Sequence, residues 1–242
     1  MRNFLALVRR ELGVYFVSPM AYVILTVMLA IAGYFFVGGM AACAKNRIPV
    51  QYEGTLFAIG FVVVLTSALV TMRLIAEEKS KGTLEIILTA PVSDLQFVLA
   101  KFAASMVLLV YLLLPTLGYP VIVSSYGPVD AGAVACGYLG VLLIGALLYS
   151  IGLFVSSLCT SQVTAGVITM AIALVLMILS VLGFFIPEGS FWREVLAYLD
   201  LTYNFGDFLK GVVDRTRLVY LLSVVFFFLF LTTRVVGSRR WR

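Results

Sequence analysis

Six long apolar stretches alternate with short polar segments along the chain. The apolar stretches cover residues 20–42, 55–72, 97–123, 131–157, 163–186 and 218–236. Each has the roughly 18–25 residues that an α-helix needs to cross about 30 Å of hydrocarbon. Pro115 and Pro120 lie within the third stretch and predict a kink or an early helix end there. The pattern therefore predicts an all-α integral membrane protein with six transmembrane helices.

The first 18 residues repeat their apolar positions with a helical period but are more polar than the later stretches. One face carries Phe4, Leu5, Val8, Leu12, Tyr15 and Phe16, and the other carries Arg2, Arg9 and Gly13. This arrangement predicts an amphipathic helix that lies in the headgroup region, with a short tail of accidental periodicity as the alternative. Ser18 and Pro19 are then the predicted N-cap and first residue of the next helix.

The segment between the second and third spans, residues 73–96, is much longer than a simple helix connection needs. Glu77 precedes Lys81 by four residues and Glu78 precedes it by three, so the second span is predicted to continue as a helix into this segment. Gly82 breaks that helix. Ser93 and Gln96 form a predicted capping box at the start of the third span.

A second, short helix is predicted inside the same segment. Thr83 caps it, Glu85 lies in its first turn and Pro91 ends it. Leu84, Ile87 and Leu88 share one side of this helix. An apolar ridge with flanking charges is typical of a docking element. A plain connector is the alternative.

Two further patterns concern the fourth span and the long segment 187–217. Gly132, Cys136 and Gly140 recur at four-residue spacing, which indicates close helix packing or, alternatively, a dimer seam.

Segment 187–217 is aromatic and helical in pattern. We expect two short helices there, capped by Ser190 and by Asn204 with Asp207, at the membrane–water interface. A folded cap that lies on the surface is the alternative.

Composition supports the membrane assignment. Hydrophobic residues make up 62% of the 242 residues, charged residues make up 12%, and the mean hydropathy is +1.11. Soluble domains have about 45–50% apolar and about 25% charged residues, so a soluble enzyme is excluded. With both termini in the cytoplasm, most of the 17 Lys and Arg residues lie on the inner side, and we therefore expect that topology. The net charge of +5 then indicates lipid contacts, and no nucleic-acid partner is expected.

The sequence offers little catalytic chemistry. It has no histidine, three dispersed cysteines and no phosphate-binding loop of the form Gly-x-x-x-x-Gly-Lys-[Ser/Thr]. A metal site and a catalytic site are therefore not expected. The apolar cores are almost free of ionisable residues, and Lys101 is expected to snorkel to the headgroups. This scarcity disfavours an ion-coupled secondary transporter, which remains the alternative together with a membrane-embedded scaffold.

Residues 77–94, Glu-Glu-Lys-Ser-Lys-Gly-Thr-Leu-Glu-Ile-Ile-Leu-Thr-Ala-Pro-Val-Ser-Asp, resemble the signature of ABC-2-type transporter permeases. The start of the chain, with Arg10-Glu11-Leu12 and Tyr15-Phe16-Val17-Ser18-Pro19, is similar to that family's entry segment. Residues 211–214 and 220–223 and the Arg239-Arg240-Trp241 ending resemble the gliding-associated (GldF-like) branch.

The resemblance implies the permease subunit of an ATP-driven exporter in a bacterial cytoplasmic or inner membrane. Glu77 and Glu78 would lie on the cytosolic extension of the second helix, and residues 82–91 would form the coupling helix that contacts the ATPase. Two ATPase subunits, a second permease copy or a similar permease, and an extracytoplasmic protein are the implied partners. ATP and Mg would bind to the ATPase, and this chain itself would bind no cofactor.

Overall fold

A computed structural model describes residues 2–46, 52–83, 93–127, 130–183, 186, 196 and 198–239. Every regular element within those ranges is helical, and six helices are long and apolar enough to cross a membrane, which confirms the predicted fold class. The α-helices are α1 (Arg2–Val17), α2 (Pro19–Asn46), α3 (Glu53–Thr71), α4 (Ala76–Ser80), α5 (Asp94–Leu113), α6 (Gly118–Ser124), α7 (Ala131–Leu158), α8 (Gln162–Gly183), α9 (Leu201–Leu209) and α10 (Arg215–Arg239).

The first helix lies against the bundle and is not one of its spans. α1 packs along α5, where Phe16 meets the Tyr111 ring edge-to-face with 4.9 Å between centroids. Leu5 and Val17 are exposed, as expected for a helix whose outer side meets lipid. The Ser18 hydroxyl accepts a hydrogen bond from the Met20 amide at 3.3 Å, so the predicted N-cap of α2 is confirmed.

The predicted continuation of the second span as one helix is wrong. α3 ends at Thr71, and α4 begins only at Ala76 after a turn. The Ser156 hydroxyl, near the end of α7, accepts hydrogen bonds from the Ile75 and Ala76 amides, both at 3.0 Å. This side chain satisfies backbone donors that a continuous helix would have paired internally, so a tertiary contact stabilises the break.

The predicted interruption of the third span is present. α5 ends at Leu113, a 3₁₀ turn spans Leu114–Leu117, and α6 completes the span. Pro115 has no amide hydrogen to continue the α-helical bonding, which explains the change at this point. The capping box of Ser93 and Gln96 at the start of α5 is also confirmed.

α7 is the central helix, and it contacts α3, α5, α8, α9 and α10. A Cβ atom added at Gly145 would overlap the Leu109 side chain, and one added at Gly152 would overlap Thr71. Both glycines therefore allow α5 and α3 to approach the backbone of α7 closely.

The short helix α9 inserts into the bundle beside α3 and α7. Its Phe205 and Phe208 side chains pack against Gly60 of α3 and Gly140 of α7. Gly60 lies seven residues after the start of α3, which places the contact roughly 10 Å along that helix. α9 therefore packs between the helices of the bundle and does not lie only on its surface.

The predicted cap of this helix is wrong. Asp200 caps α9 by accepting a hydrogen bond from the Thr202 amide at 2.8 Å. Asn204 lies inside the helix and donates to the carbonyls of Tyr198 and Asp200, because its amide is buried and has to satisfy its own donors. Most of the other predicted short helix, including Ser190, lies outside the described residues.

Candidate functional site

Four charged side chains meet where α1, α4 and α5 come together, and we call them the ion cluster: Arg10, Glu11, Glu78 and Lys101. The Lys101 ammonium lies 3.1 Å from a carboxylate oxygen of Glu11 and 3.1 Å from Oε1 of Glu78. Arg10 lies 2.6 Å from the same Glu78 oxygen and 3.2 Å from Glu11. The cluster thus joins three separate helices.

Lys101 does not extend to the headgroups as the sequence suggested. Its side chain is only 2% exposed, and both carboxylates that contact it are also buried. A buried charge is tolerated only when it is paired, and removal of one partner leaves the others uncompensated. The ion cluster therefore holds α1 and α4 in fixed positions relative to α5.

A second set of contacts attaches α4 to the end of α7. Ser156 accepts from the first amides of the α4 region, and the Lys79 ammonium donates to the carbonyls of Ser157 and Cys159. Lys79 thus satisfies carbonyls that the C-terminus of α7 leaves without intrahelical partners. On the exposed side of α4, Lys81 pairs with Glu77 at 2.6 Å, as the spacing predicted.

The helix break after α4 is also where the sequence placed it. Gly82 has φ = 67°, a left-handed conformation that glycine adopts without steric cost. The Thr83 hydroxyl donates to the Glu78 carbonyl at 3.3 Å. The other residues of the predicted coupling helix lie outside the described residues, and their role stays a prediction: Leu84, Glu85, Ile87, Leu88 and Pro91.

A cavity of about 180 Å³ lies beside the ion cluster, and we call it the polar cavity. Residues of α1, the α3–α4 turn, α4 and α5 line it, including Tyr15, Arg73 and Glu78. Burial, followed by the nearby Glu11 carboxylate, raises the pKa of the Tyr15 phenol well above its usual value. Tyr15 is therefore a neutral donor, and it donates to the Val70 carbonyl at 3.4 Å.

A larger cavity of about 400 Å³ lies between α7, α8, α9 and α10, and we call it the apolar cavity. Ile151, Phe154, Ile172 and Phe228 are among its lining residues. Ligand pockets commonly have volumes of about 300–1,000 Å³ and predominantly hydrophobic walls. The apolar cavity can therefore accommodate a small apolar group.

The sequence of this chain also matches a known protein family. Residues 44–236 match the profile of a family described as ABC-2 family transporter protein. The match covers well over half of the chain. The protein belongs to the ABC-2 transporter family.

Two curated relatives are similar to this ABC-2 chain. Both are described as "Probable multidrug ABC transporter permease YbhR", one from Escherichia coli strain K12 and the other from Escherichia coli O157:H7. Each is 24% identical over 156 residues, which is 64% of this chain and 41% of the relative. The ABC-2 chain thus spans less than half the length of the relatives it matches.

The small residues predicted for packing or a dimer seam occupy different environments in this ABC-2 fold. Gly140 is buried against Phe208, Cys136 is half-buried, and Gly132 is exposed beside its capping residue Asp130. Close helix packing involves Gly140, whereas Gly132 and Cys136 remain candidates for a dimer seam.

Sequence reasoning missed Glu11 and Arg10 as members of the site. One signal could have found Glu11, because it lies between Val8, Leu12 and Tyr15 on the apolar side of α1. A carboxylate on an apolar face requires a cation, and Lys101 is the ionisable residue that interrupts the apolar third span. Glu11 interrupts the apolar face of α1, Lys101 interrupts the apolar third span, and the two form an ion pair in this ABC-2 chain.

Proposed function

We propose that this chain is the permease subunit of an ATP-driven ABC exporter. It couples ATP hydrolysis by a separate ATPase to transport or to conformational signalling across the membrane. The observation that carries the proposal is the double attachment of α4. The ion cluster links α4 to α1 and α5, and the contacts of Ser156 and Lys79 link it to α7. A force applied at residues 82–91 would therefore reach three other helices of the bundle.

The proposed assembly contains two ATPase subunits and two permease halves, either two copies of this chain or this chain with a similar permease. ATP and Mg would bind to the ATPase subunits, since this sequence lacks a phosphate-binding loop. The proposed location is a bacterial cytoplasmic or inner membrane, with both termini in the cytoplasm. Resemblance of residues 211–223 and of the C-terminus favours the gliding-associated branch, in which an extracytoplasmic protein would be a further partner.

The apolar cavity favours an apolar or amphiphilic cargo for this exporter. Ile172→Trp fills part of that cavity from α8, whereas Val167→Trp adds the same bulk on an exposed position of the same helix. We expect Ile172→Trp, but not Val167→Trp, to reduce export of an amphiphilic dye from cells that express the complete transporter. Equal export by both variants would assign the cavity no part in transport.

Reconstitution of the permease with and without its ATPase tests the proposal. The ATPase for this experiment is to be sought among the products of the neighbouring genes. The permease alone in liposomes should hydrolyse ATP no faster than empty liposomes, and hydrolysis should appear when the ATPase is added. A secondary transporter would instead move its cargo without ATP and would stop when ionophores collapse the ion gradients. Transport by the permease alone with that sensitivity would refute the proposal.

A further inference from the structure

Two side chains that line the polar cavity, Arg73 and Glu78, each have one polar atom without a hydrogen-bond partner in the part of the chain that the structure describes. In the ion cluster, Arg10 and Lys101 are paired with Glu11 and Glu78, and on α4 Lys81 is paired with Glu77. Arg73 is the remaining cation in the lining. Its Nη1 donates a long hydrogen bond of 3.5 Å to the Ser18 hydroxyl, whereas its Nε is buried and has no hydrogen-bond partner among the described residues.

Glu78 also has unused bonding capacity. Oε1 is close to both Arg10 and Lys101, but Oε2 is buried without a hydrogen-bond partner. Glu78 is only 8% exposed, and it lines the polar cavity. Buried polar atoms are rarely left unsatisfied, because each costs the free energy of its lost hydration. The two atoms call for a ligand that donates to Glu78 and accepts from Arg73.

A phosphate beside a primary ammonium group has this pattern of charges. The phosphate oxygens accept hydrogen bonds from a guanidinium, and an ammonium N–H donates to a carboxylate. A zwitterion also suits the lining, which holds four cations and three carboxylates. The volume of about 180 Å³ is several times the ~30 Å³ that a water molecule occupies in the liquid.

The surroundings indicate that this group belongs to a lipid. Val14 and Met20 line the same cavity, and two exposed apolar residues, Val17 at 87% exposure and Val23 on α2, lie three positions after them. An acyl chain could lie along this surface while the headgroup enters the cavity, because an amphipathic helix such as α1 lies at the depth of the lipid headgroups.

We infer that the polar cavity binds the headgroup of a phospholipid with a primary ammonium group. The ammonium donates to Glu78 Oε2, and the phosphate accepts from Arg73 Nε. The bound lipid bridges the α3–α4 turn and α4 beside α1. This inference concerns binding by the chain itself and holds whether or not the proposed transport function is correct.

Lipid selectivity tests the inference without any transport assay. The purified chain is equilibrated with equal amounts of phosphatidylethanolamine, phosphatidylcholine and phosphatidylglycerol, and the retained lipids are counted by native mass spectrometry. Phosphatidylethanolamine should be retained about tenfold more than either competitor, the ratio that corresponds to about 1.4 kcal/mol. Choline has no N–H to donate, and glycerol has no positive charge. Equal retention of the three lipids would overturn the inference.

Two variants test the ammonium contact and the phosphate contact independently. In Glu78→Gln, the amide oxygen should stay with Arg10 and Lys101, which leaves the NH₂ group, a donor, in place of the acceptor Oε2. We expect the preference for phosphatidylethanolamine to disappear. Arg73→Gln removes the phosphate contact that the three lipids share, so retention of all of them should fall. Unchanged selectivity in Glu78→Gln, or unchanged retention in Arg73→Gln, would contradict the proposed contacts.

Arg9→Gln is the matched control. Arg9 is exposed on α1, next to Arg10 in sequence, and does not line the polar cavity. The substitution removes the same charge near the same membrane surface and should leave both retention and selectivity unchanged. A loss of retention equal to that of Arg73→Gln would instead show a general attraction of lipid to surface charge and would overturn the assigned site.

Discussion

Lys101 and Glu11 are 90 positions apart in sequence, yet their charged groups lie 3.1 Å apart. The pair of Glu77 and Lys81 follows directly from local spacing, because residues four apart are neighbours on a helix. No local rule links Lys101 to Glu11, since that contact depends on how α1 packs along α5. At this scale the sequence predicted the pair within one helix and missed the pairs between helices.

Removal of the Lys101 charge should destabilise the folded protein. Lys101→Met leaves Glu11 and Glu78 buried with Arg10 as their remaining cation among the described residues. Breaking a buried ion pair in this way typically costs about 3–5 kcal/mol. We expect a clear decrease in the thermal unfolding temperature of the purified protein in detergent.

Lys45→Met is the control for that substitution. Lys45 is exposed in the last turn of α2, so its replacement removes a solvated charge and should change the unfolding temperature little. If both variants unfolded at the wild-type temperature, the ion cluster would not contribute to the attachment of α1.

Some helix ends depend on local residues, and others depend on contacts with another helix. Pro115 and Gly82 interrupt helices as predicted, since their effects on the backbone are local. The break between Thr71 and Ala76 was not predicted, because the sequence there contains neither Gly nor Pro. In the structure, hydrogen bonds to Ser156, from another helix, stabilise this break. The same applies to α9, whose position in the bundle depends on the space beside Gly60 and Gly140.

Ser156→Ala should loosen the α3–α4 turn. The substitution removes the acceptor of the Ile75 and Ala76 amides, and an unsatisfied buried donor costs about 1–3 kcal/mol. We expect faster hydrogen exchange at these two amides, measured by mass spectrometry on the purified protein. Ser238→Ala, at an exposed hydroxyl of α10, should leave that exchange unchanged. Equal protection in both variants would show that Ser156 does not stabilise the turn.

At the scale of the whole molecule, the apolar stretches predicted six helices that could cross a membrane, and the structure contains them. Hydrophobicity determines which segments enter the bilayer, so this level of the fold is readable from sequence. The orientation of these helices in the membrane is predicted from the distribution of Lys and Arg between the two sides, which is a weaker signal than hydrophobicity. The arrangement of helices around α7 could not be predicted, because it depends on close contacts such as those at Gly145 and Gly152.

Cysteine labelling tests the predicted orientation. In a variant without the native cysteines, a probe at Gly189 should react with a membrane-impermeant maleimide added outside intact cells. Probes at Ser80 and Ser238 should react only after the cells are permeabilised. Reaction at Ser80 in intact cells would place α4 on the outer side, where no ATPase could reach it.

The central claim is that residues 82–91 dock on a separate ATPase, and a pull-down of that ATPase tests it most directly. Leu84→Asp combined with Leu88→Asp would place two charges in a desolvated contact, at a cost of several kcal/mol. Val212→Asp with Val213→Asp introduces the same charges at two exposed apolar residues between α9 and α10. We expect the first double variant to insert into the membrane but to lose the ATPase, and the second to retain it. Undiminished capture of the ATPase by the first double variant, together with undiminished transport, would show that this segment is only a connector.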